Sequence, residues 1–217
     1  MAQKVSRRHL AQLLVLGLAG VGVSHILRRT SPIGRDVSLN ETAQAALQDK
    51  ILPRQDVAQP TLTLVLFTDY RCPACKLSNA SMEAALLDDK QVRVIYRDWP
   101  IFGDLSQRAA RIAIAADRQD IYPKVHSQLM NERRALDEDI FRQAVERSGG
   151  SWQQIEADLQ TYSADIDRQL DRNRLDAFQL GISGTPTYLA GSVLVAGAHD
   201  KDAFERLFAA GRASMER

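Results

Sequence analysis

Two cysteines, Cys72 and Cys75, are the residues of this sequence whose type and spacing are best suited to chemistry. They enclose Pro73 and Ala74, so the motif reads C-P-A-C. Two thiols this close can form and reopen a small disulfide ring, and the thiolate form is the one that attacks a disulfide. The spacing therefore predicts a redox pair in which Cys72 is the nucleophile. Cys75 would then resolve the mixed disulfide by attacking the Cys72 sulfur.

Three other roles for the cysteines are open from the residues alone, and the least favoured, beside a proline and a helix start, is an inert buried pair of thiols. A zinc site needs further soft ligands, but the chain has only 2 cysteines, and of its 4 histidines two lie in the first 30 residues. A structural disulfide suits an oxidising compartment, although closing so short a loop restrains the unfolded chain very little. The redox pair is the favoured interpretation, and we expect no metal and no other cofactor.

The elements around the motif would place Cys72 at the start of a helix. Residues 61–67 (TLTLVLF) form a short apolar run, rich in β-branched residues, that is typical of a buried strand. Pro73 suits the first position of a helix because its missing N–H has no partner there, and a helix start favours a negative thiolate. The helix itself is predicted from an apolar stripe that would lie on a sheet. The stripe consists of Leu77, Ala80, Ala84 and Leu87.

The rest of the chain predicts an α/β fold with a helical insertion. A second strand follows at 91–97, which gives a strand–helix–strand unit with parallel strands. Residues 104–181 are helical in pattern, two short strands at 187–190 and 193–196 flank the turn Gly191-Ser192, and a helix from 201 to about 211 closes the chain. Before the first strand, residues 31–40 read as a linker, 41–50 as a short helix and 53–60 as a break.

The segments FTDYRCPACK and GTPTYLAG, in this order and with a helical block between them, resemble the DsbA-like branch of the thioredoxin superfamily. The resemblance covers residues 61–211 and assigns 61–217 to a thioredoxin-like domain with an inserted helical domain. It implies that Pro186 is cis and packs beside the redox pair. It also implies that the backbone at Thr185 pairs with the substrate peptide, while Pro73 and Ala74 support the site.

Several side chains near the motif carry further expectations. Relatives with a strongly oxidising site often have histidine at the place of Ala74, so we expect a less oxidising potential here. Asp69 is predicted as a cap or a solvated turn residue. Trp99 and Phe102, in the segment that would cover the sheet beside Cys72, are predicted as core residues rather than a substrate platform. His126 and His199 are predicted to satisfy local hydrogen bonds.

The amino-terminal segment, residues 1–30, has the form of an export signal. It holds five cations and no acid, and residues 9–27 are 19 positions without a formal charge. The sequence Ser6-Arg7-Arg8-His9-Leu10 resembles the twin-arginine export motif of bacteria. As a helix, the uncharged run would reach about 28 Å, close to the thickness of a bilayer core, so a cleaved signal and a retained inner-membrane anchor are both open. Either alternative places the remaining chain in the periplasm.

Charge separates the chain into two unlike parts. The net charge of +1 combines +5 in residues 1–30 with −4 in the remainder, which leaves no basic face for nucleic acid.

The leading hypothesis is a thiol–disulfide oxidoreductase that acts on cysteine-containing exported proteins. It would work with a membrane redox partner that reoxidises or reduces the pair. The 41–50 helix leaves a homo-oligomer open, and the alternative function is a non-catalytic binding module, either an anchored chaperone or a metal-handling protein.

Overall fold

A computed structural model describes residues 33–216, which form a mixed sheet with helices on both faces. The strands are β1 (Arg35–Asp36), β2 (Arg54–Gln55), β3 (Leu62–Thr68), β4 (Val92–Asp98), β5 (Thr187–Ala190) and β6 (Val193–Ala196). The helices are α1 (Glu41–Leu47), α2 (Pro73–Asp88), α3 (Asp104–Asp117), α4 (Tyr122–Asn131), α5 (Glu138–Arg147), α6 (Trp152–Thr161), α7 (Ser163–Gln179) and α8 (Lys201–Met215). The export segment predicted at 1–30, with its uncharged run at 9–27, lies outside the described residues.

The sheet has the strand order β1-β6-β5-β3-β4-β2. β3 and β4 run parallel over seven residue pairs, from Leu62 opposite Val92 to Thr68 opposite Asp98, while the other pairings are antiparallel. The predicted strand–helix–strand unit is therefore present, with α2 as its crossover. Because the chain leaves β3 and β4 at the same edge, the residues that follow these two strands meet there.

Two short edge strands occupy segments predicted from the sequence to be a linker and a break. β1 pairs with β6 and β2 pairs with β4, each through two residues. Such short strands carry little local signal, since two residues cannot show a hydrophobic period. The short helix α1 ends at Leu47 rather than near residue 50. Its residues Ala43 and Ala46 are buried and pack in one cluster with Val65 and Phe67 of β3.

Helix α2 presents the opposite face to the core from the one predicted. Leu77 and Leu87 of the predicted stripe are 74% and 71% exposed. The buried face consists of Cys75, Ser78, Asn79, Met82 and Ala85. The buried Ser78 hydroxyl is satisfied, because it accepts hydrogen bonds from the Tyr188 hydroxyl at 2.8 Å and the His199 backbone N–H at 3.0 Å. The helix does have the apolar stripe that the spacing predicts, but the more polar face is the buried one. Hydrogen bonds from distant residues satisfy the polar group on that face.

Alternate residues of β3 and β4 supply two separate cores. Leu64, Leu66, Val94 and Tyr96 pack in the core that also contains Cys75 and Met82 of α2. Val65, Phe67 and Ile95 pack in the second core, which includes residues of α1 and α7. Side chains of successive strand residues point to opposite faces. It follows that Thr68 and Asp98, which continue the even-numbered series, lie on the face that α2 covers.

Within residues 33–216, no helix combines the length and the apolar character that crossing a bilayer requires.

Candidate active site

The C-P-A-C motif begins helix α2. Cys72 is the N-cap residue, Pro73 occupies the first turn, and the Cys72 sulfur accepts a hydrogen bond from the Cys75 backbone N–H at 3.4 Å. Both cysteines are present as free thiols and both are buried. The start of the helix therefore directs one backbone N–H at the Cys72 sulfur, and a helix N-terminus favours negative charge.

The loop before β5 closes over Cys72. The Thr185–Pro186 peptide bond is cis, as the resemblance implied. The Cys72 thiol donates a hydrogen bond to the Thr185 carbonyl oxygen at 3.2 Å, although 113 residues separate them in sequence. The structure thus brings Cys72, Cys75, Thr185 and Pro186 together. Pro73 is exposed beside them and Ala74 is half-buried.

Cys75 is buried to about the same degree as Cys72, of which 3% is exposed. Only 2% of the Cys75 surface is exposed, and burial raises the pKa of its thiol to about 12. Contacts with the Thr185 and Thr68 side chains and with the Asp69 backbone oppose that rise. At neutral pH the Cys75 thiol therefore keeps its proton, and any attack by this sulfur requires a group that takes the proton away.

Asp69 organises the loop that leads into the motif. It is buried, so of the two predicted roles the solvated turn residue is wrong, whereas the cap is confirmed by the hydrogen bond that its side chain accepts from the Arg71 N–H. One carboxylate oxygen accepts the Arg71 N–H and the Ser106 hydroxyl, each at 2.7 Å. The other accepts the backbone N–H groups of Ile101 at 2.6 Å and Phe102 at 3.1 Å. Four donors hold this carboxylate, which fastens the loop after β3 to the loop after β4.

A buried polar cluster lies behind the motif and was missed from the sequence. The Tyr122 hydroxyl donates to an Asp98 carboxylate oxygen at 2.9 Å, and the Tyr70 hydroxyl lies 3.2 Å from both the Tyr122 hydroxyl and the His126 Nδ1. Burial raises the pKa of Asp98 to about 7, against hydrogen bonds from Tyr122 and Tyr70 that lower it. Burial lowers the pKa of His126 to about 3, so its ring is neutral. The hydrogen bond of His126 is thus to a distant residue rather than a local one.

One sequence signal could have identified this cluster. Asp69 directly follows the first parallel strand, and Asp98 is the last residue of the second. The carboxyl ends of neighbouring parallel strands meet at one edge of a sheet, so both carboxylates were bound to lie near the motif. Tyr122 and His126 gave no such signal, because they lie in helix α4, which reaches the motif only through tertiary packing.

The rim beside the motif is apolar. Phe102 is 44% exposed, so its assignment to the core is wrong, whereas Trp99 is half-buried against the second core. Ile101 and Leu105 are exposed to a similar degree as Phe102. The Arg71 guanidinium donates to the Phe102 carbonyl oxygen at 2.6 Å. Because Arg71 directly precedes Cys72, this hydrogen bond connects the exposed apolar segment with the chain that leads into the motif.

Within the described residues, no group of three or more His, Cys, Asp or Glu side chains is arranged to hold a metal ion.

The second histidine considered in the sequence, His199, packs among aromatic side chains. His199 lies half-buried beside Tyr188 and Phe204, at ring-centroid distances of about 6 Å.

Comparison with known families gives one match over most of the chain. The model of the DSBA-like thioredoxin domain matches residues 63–209, which is more than half of the sequence. Among curated proteins, the chain is 27% identical over 135 residues to the Na(+)/H(+) antiporter NhaA 3 of Salinispora tropica. That match covers 58% of this chain but only 20% of the antiporter, so the shared segment is a small part of that protein.

Several solved structures share the fold over nearly their whole length. A thioredoxin-like oxidoreductase from Silicibacter pomeroyi is 27% identical, with a TM-score of 0.72, covering 78% of this chain and 97% of the other. A periplasmic thioredoxin-like protein from Salmonella enterica serovar Typhimurium is 30% identical, with a TM-score of 0.67 and coverage of 80% and 98%. The catalytic domain of Proteus mirabilis ScsC is 27% identical, with a TM-score of 0.71 and coverage of 81% and 97%. The predicted thioredoxin-like fold is confirmed.

Proposed function

The chain belongs to the DsbA-like thioredoxin family, and from this premise we propose that it is a thiol–disulfide oxidoreductase that acts on proteins through Cys72 and Cys75. One observation carries the proposal. The Cys72 sulfur caps helix α2, with the Cys75 N–H at 3.4 Å and the Thr185 carbonyl oxygen at 3.2 Å. A helix start is a position that suits a nucleophilic sulfur, and a peptide carrying a cysteine can pair with the adjacent backbone.

The reaction exchanges disulfides without any other redox group. In the reducing direction, the Cys72 thiolate attacks a substrate disulfide and one substrate sulfur leaves as a thiolate. Cys75, as a thiolate, then attacks the Cys72 sulfur, which releases the second substrate sulfur and forms the Cys72–Cys75 disulfide. In the oxidising direction the same steps run in reverse, and the substrate leaves with a disulfide. Isomerisation needs only the first attack followed by its reversal at another substrate sulfur.

The apolar rim supports a polypeptide substrate. Phe102, Ile101 and Leu105 expose about two fifths of their surfaces next to the segment that leads into Cys72. Partially folded proteins expose apolar side chains near their unpaired cysteines, and those side chains gain by leaving water on such a surface. The proposed substrates are therefore unfolded or misfolded proteins with accessible cysteines.

We further propose that the protein acts in the periplasm. Support comes from the basic and then uncharged amino-terminal segment, residues 1–30, and from a relative described as periplasmic that is 30% identical over 80% of this chain. Disulfides form and persist in such an oxidising compartment. A membrane protein that reoxidises or reduces the Cys72–Cys75 pair completes the cycle, and residues 9–27 serve either as a cleaved signal or as an anchor.

Replacing Cys72 by serine tests the enzymatic role. We expect Cys72→Ser to lose measurable turnover of a reduced or scrambled model protein, because a serine hydroxyl neither ionises at neutral pH nor forms a disulfide. The assay follows insulin reduction and the recovery of activity by a scrambled ribonuclease, with the unchanged protein as reference. Equal rates for both proteins would overturn the proposal and favour the non-catalytic binding module instead.

Replacing Ala74 by histidine tests what sets the redox potential. Ala74 follows Pro73 in the first turn of α2 and offers no hydrogen bond to the Cys72 sulfur. An imidazole at this position would stabilise the Cys72 thiolate and hence the reduced form, so Ala74→His should raise the reduction potential. Each tenfold change in the equilibrium with glutathione corresponds to about 30 mV for this two-electron couple. A titration against glutathione redox buffers measures the reduction potential, with Ala74→Ser as the matched control. A potential in Ala74→His equal to or lower than that of the unchanged protein would refute the role given to this position.

A further inference from the structure

A cavity between α2 and α4 lies apart from the redox pair. Its volume is about 410 Å³, within the range of pockets that hold small molecules in proteins. Asn79 and Glu83 of α2 line it, and the rise of a helix places them about 10 Å and about 16 Å along the axis from Cys72. The apolar part of the wall consists of Met82, Leu86, Leu87 and Pro123.

Two side chains of the cavity lining carry a buried polar atom that has no hydrogen-bond partner. Asn79 is 3% exposed and His126 is 2% exposed. Among the residues that the structure describes, no group pairs with Asn79 Oδ1 or with His126 Nε2. The Asn79 Nδ2 donates to a Glu83 carboxylate oxygen at 3.0 Å, so the amide oxygen is the atom left over. Such atoms are rare in proteins and cost free energy that a bound donor would recover.

The hydrogen bonds of the polar cluster make His126 Nε2 an acceptor. When Asp98 is ionised, Tyr122 donates its one hydroxyl proton to that carboxylate. Tyr70, at 3.2 Å, must then donate its own proton to the Tyr122 oxygen. Tyr70 has no proton left for the imidazole, so the His126 Nδ1–H donates to the Tyr70 oxygen. Because burial lowers the pKa of His126 to about 3, the ring is neutral and Nε2 carries a lone pair.

Aromatic side chains fix the orientation of this imidazole. The His126 ring lies 4.6 Å from the Tyr96 ring, 5.5 Å from the Tyr70 ring and 6.0 Å from the Tyr122 ring, measured between centroids. Tyr96 is held in turn, because its hydroxyl donates to the Gln55 side chain at 3.2 Å. A ring packed in this way loses little conformational freedom when a ligand binds, which favours binding.

Hydrogen bonding rather than net charge selects what the cavity binds. Glu83 and Lys124 are the charged side chains in the lining, and their formal charges cancel. Lys124 is exposed, whereas Glu83 is half-buried and bonded to Asn79. Burial raises the pKa of the Tyr96 hydroxyl, and the charge of Glu83 adds to the rise, so the field of this carboxylate reaches the aromatic part of the lining.

We propose that this cavity binds a small molecule that carries a primary ammonium group on an apolar body. An ammonium group has three donors and no acceptor, which matches Asn79 Oδ1, His126 Nε2 and the Glu83 carboxylate. A hydroxyl or an amide would bring its own lone pairs against these acceptors, and Glu83 would repel a carboxylate. The apolar body leaves water and packs on Met82 and Leu86. The site uses neither cysteine, so the inference is independent of the proposed function.

Titration with n-hexylamine tests the proposal. At about pH 8 the ligand is an ammonium ion, since alkyl amines such as that of lysine have a pKa of about 10.4, and Asp98, with a pKa of about 7, is ionised. We expect saturable binding in calorimetry, with a dissociation constant of about 1 mM or lower. Hexanol and hexanoate have the same apolar body and should bind at least about tenfold more weakly.

Nitrogen NMR of the protein with labelled histidine tests the acceptor directly. In the free protein at about pH 8, we expect the Nε2 resonance of His126 to be that of an unprotonated nitrogen. It should shift when hexylamine binds and stay in place when hexanol is added. A protonated Nε2 in the free protein would overturn the proposal.

Two variants remove one acceptor each. Asn79→Leu keeps the volume of the side chain, and Glu83→Gln keeps its shape. Each should weaken hexylamine binding by about tenfold, because a hydrogen bond to a charged donor is lost, while the affinity for hexanol stays within about twofold. Glu146→Gln, at an exposed glutamate of α5, is the matched control and should bind hexylamine as the unchanged protein does.

The remaining outcomes also decide. No saturable binding of hexylamine, or equal affinities for hexylamine and hexanol, would refute the site. Unchanged affinity in both Asn79→Leu and Glu83→Gln would do the same, and should Asn79→Leu not fold, Glu83→Gln and the His126 resonance decide. Cys72→Ser should bind hexylamine normally, so a failure of the proposed function and a failure of this site are seen separately.

Discussion

A Cys75→Ala variant is expected to stay covalently attached to its substrates. Cys72 can still attack a substrate disulfide, but the sulfur that would release the product is missing, so the mixed disulfide persists. Cys75 is 2% exposed and its replacement by alanine removes one buried atom, which should leave the fold intact. We expect adduct lifetimes to increase by about a hundredfold or more, because resolution then depends on a thiol from solution rather than one held in place.

Non-reducing electrophoresis of the variant expressed in its native host measures this effect. Discrete adducts that disappear on reduction are the expected result, and mass spectrometry of the captured proteins identifies the substrates and the redox partner. The matched control is the double variant Cys72→Ser/Cys75→Ala, which should form none. Adducts of equal abundance in the double variant would show that they arise without Cys72, which would contradict the assigned roles.

Replacing Arg97 by leucine is expected to cause the largest loss of stability. Arg97 lies in β4 with 2% of its side chain exposed, on the face of the second core. Its guanidinium bonds to Asp176 and lies 3.2 Å from Asp49, with Asn173 at 3.3 Å and the Phe67 ring at 5.7 Å. Asp49 also pairs with Arg172. This ion cluster connects the segment after α1 with the sheet and with α7.

The cost follows from what the leucine leaves behind. Asp176 loses its paired cation and Asp49 loses one of two, and removing one partner of a buried ion pair costs about 3–5 kcal/mol. For a domain of this size, that corresponds to a melting temperature lower by about 10 °C. Thermal or urea unfolding of the variant and the unchanged protein measures this loss of stability. Activity per folded molecule should not change, since the redox pair lies on the other face of the sheet.

Arg93→Leu is the control, because Arg93 lies four residues earlier on the same face of the same strand. Its partner is Asp56, at 2.6 Å, and the two side chains are 35% and 50% exposed. Water and salt screen such a pair, so we expect a loss below about 1 kcal/mol. Equal losses in the two variants would show that burial of the ions does not decide their contribution.

The sequence alone determined the local features of this protein. The C-P-A-C motif follows β3 and begins α2 as predicted, because a β-branched run, a capping residue and a proline at the helix start act within a few residues of each other. The helical block and the closing strands also follow from local periodicity. The resemblance carried by the two motifs led to the family, which the match over residues 63–209 bears out.

Only the tertiary structure decided which side chains meet. The buried face of α2, three of the four donors to Asp69 and the exposure of Phe102 all depend on residues about 30 or more positions apart. The same holds for Asp98, whose partner Tyr122 lies in α4 and whose neighbour Thr68 lies in β3. A hydrophobic period says that one face of a helix is suited to burial. Which face is buried, and what proton affinity a buried acid acquires, are set by hydrogen bonds and desolvation that arise when distant segments pack.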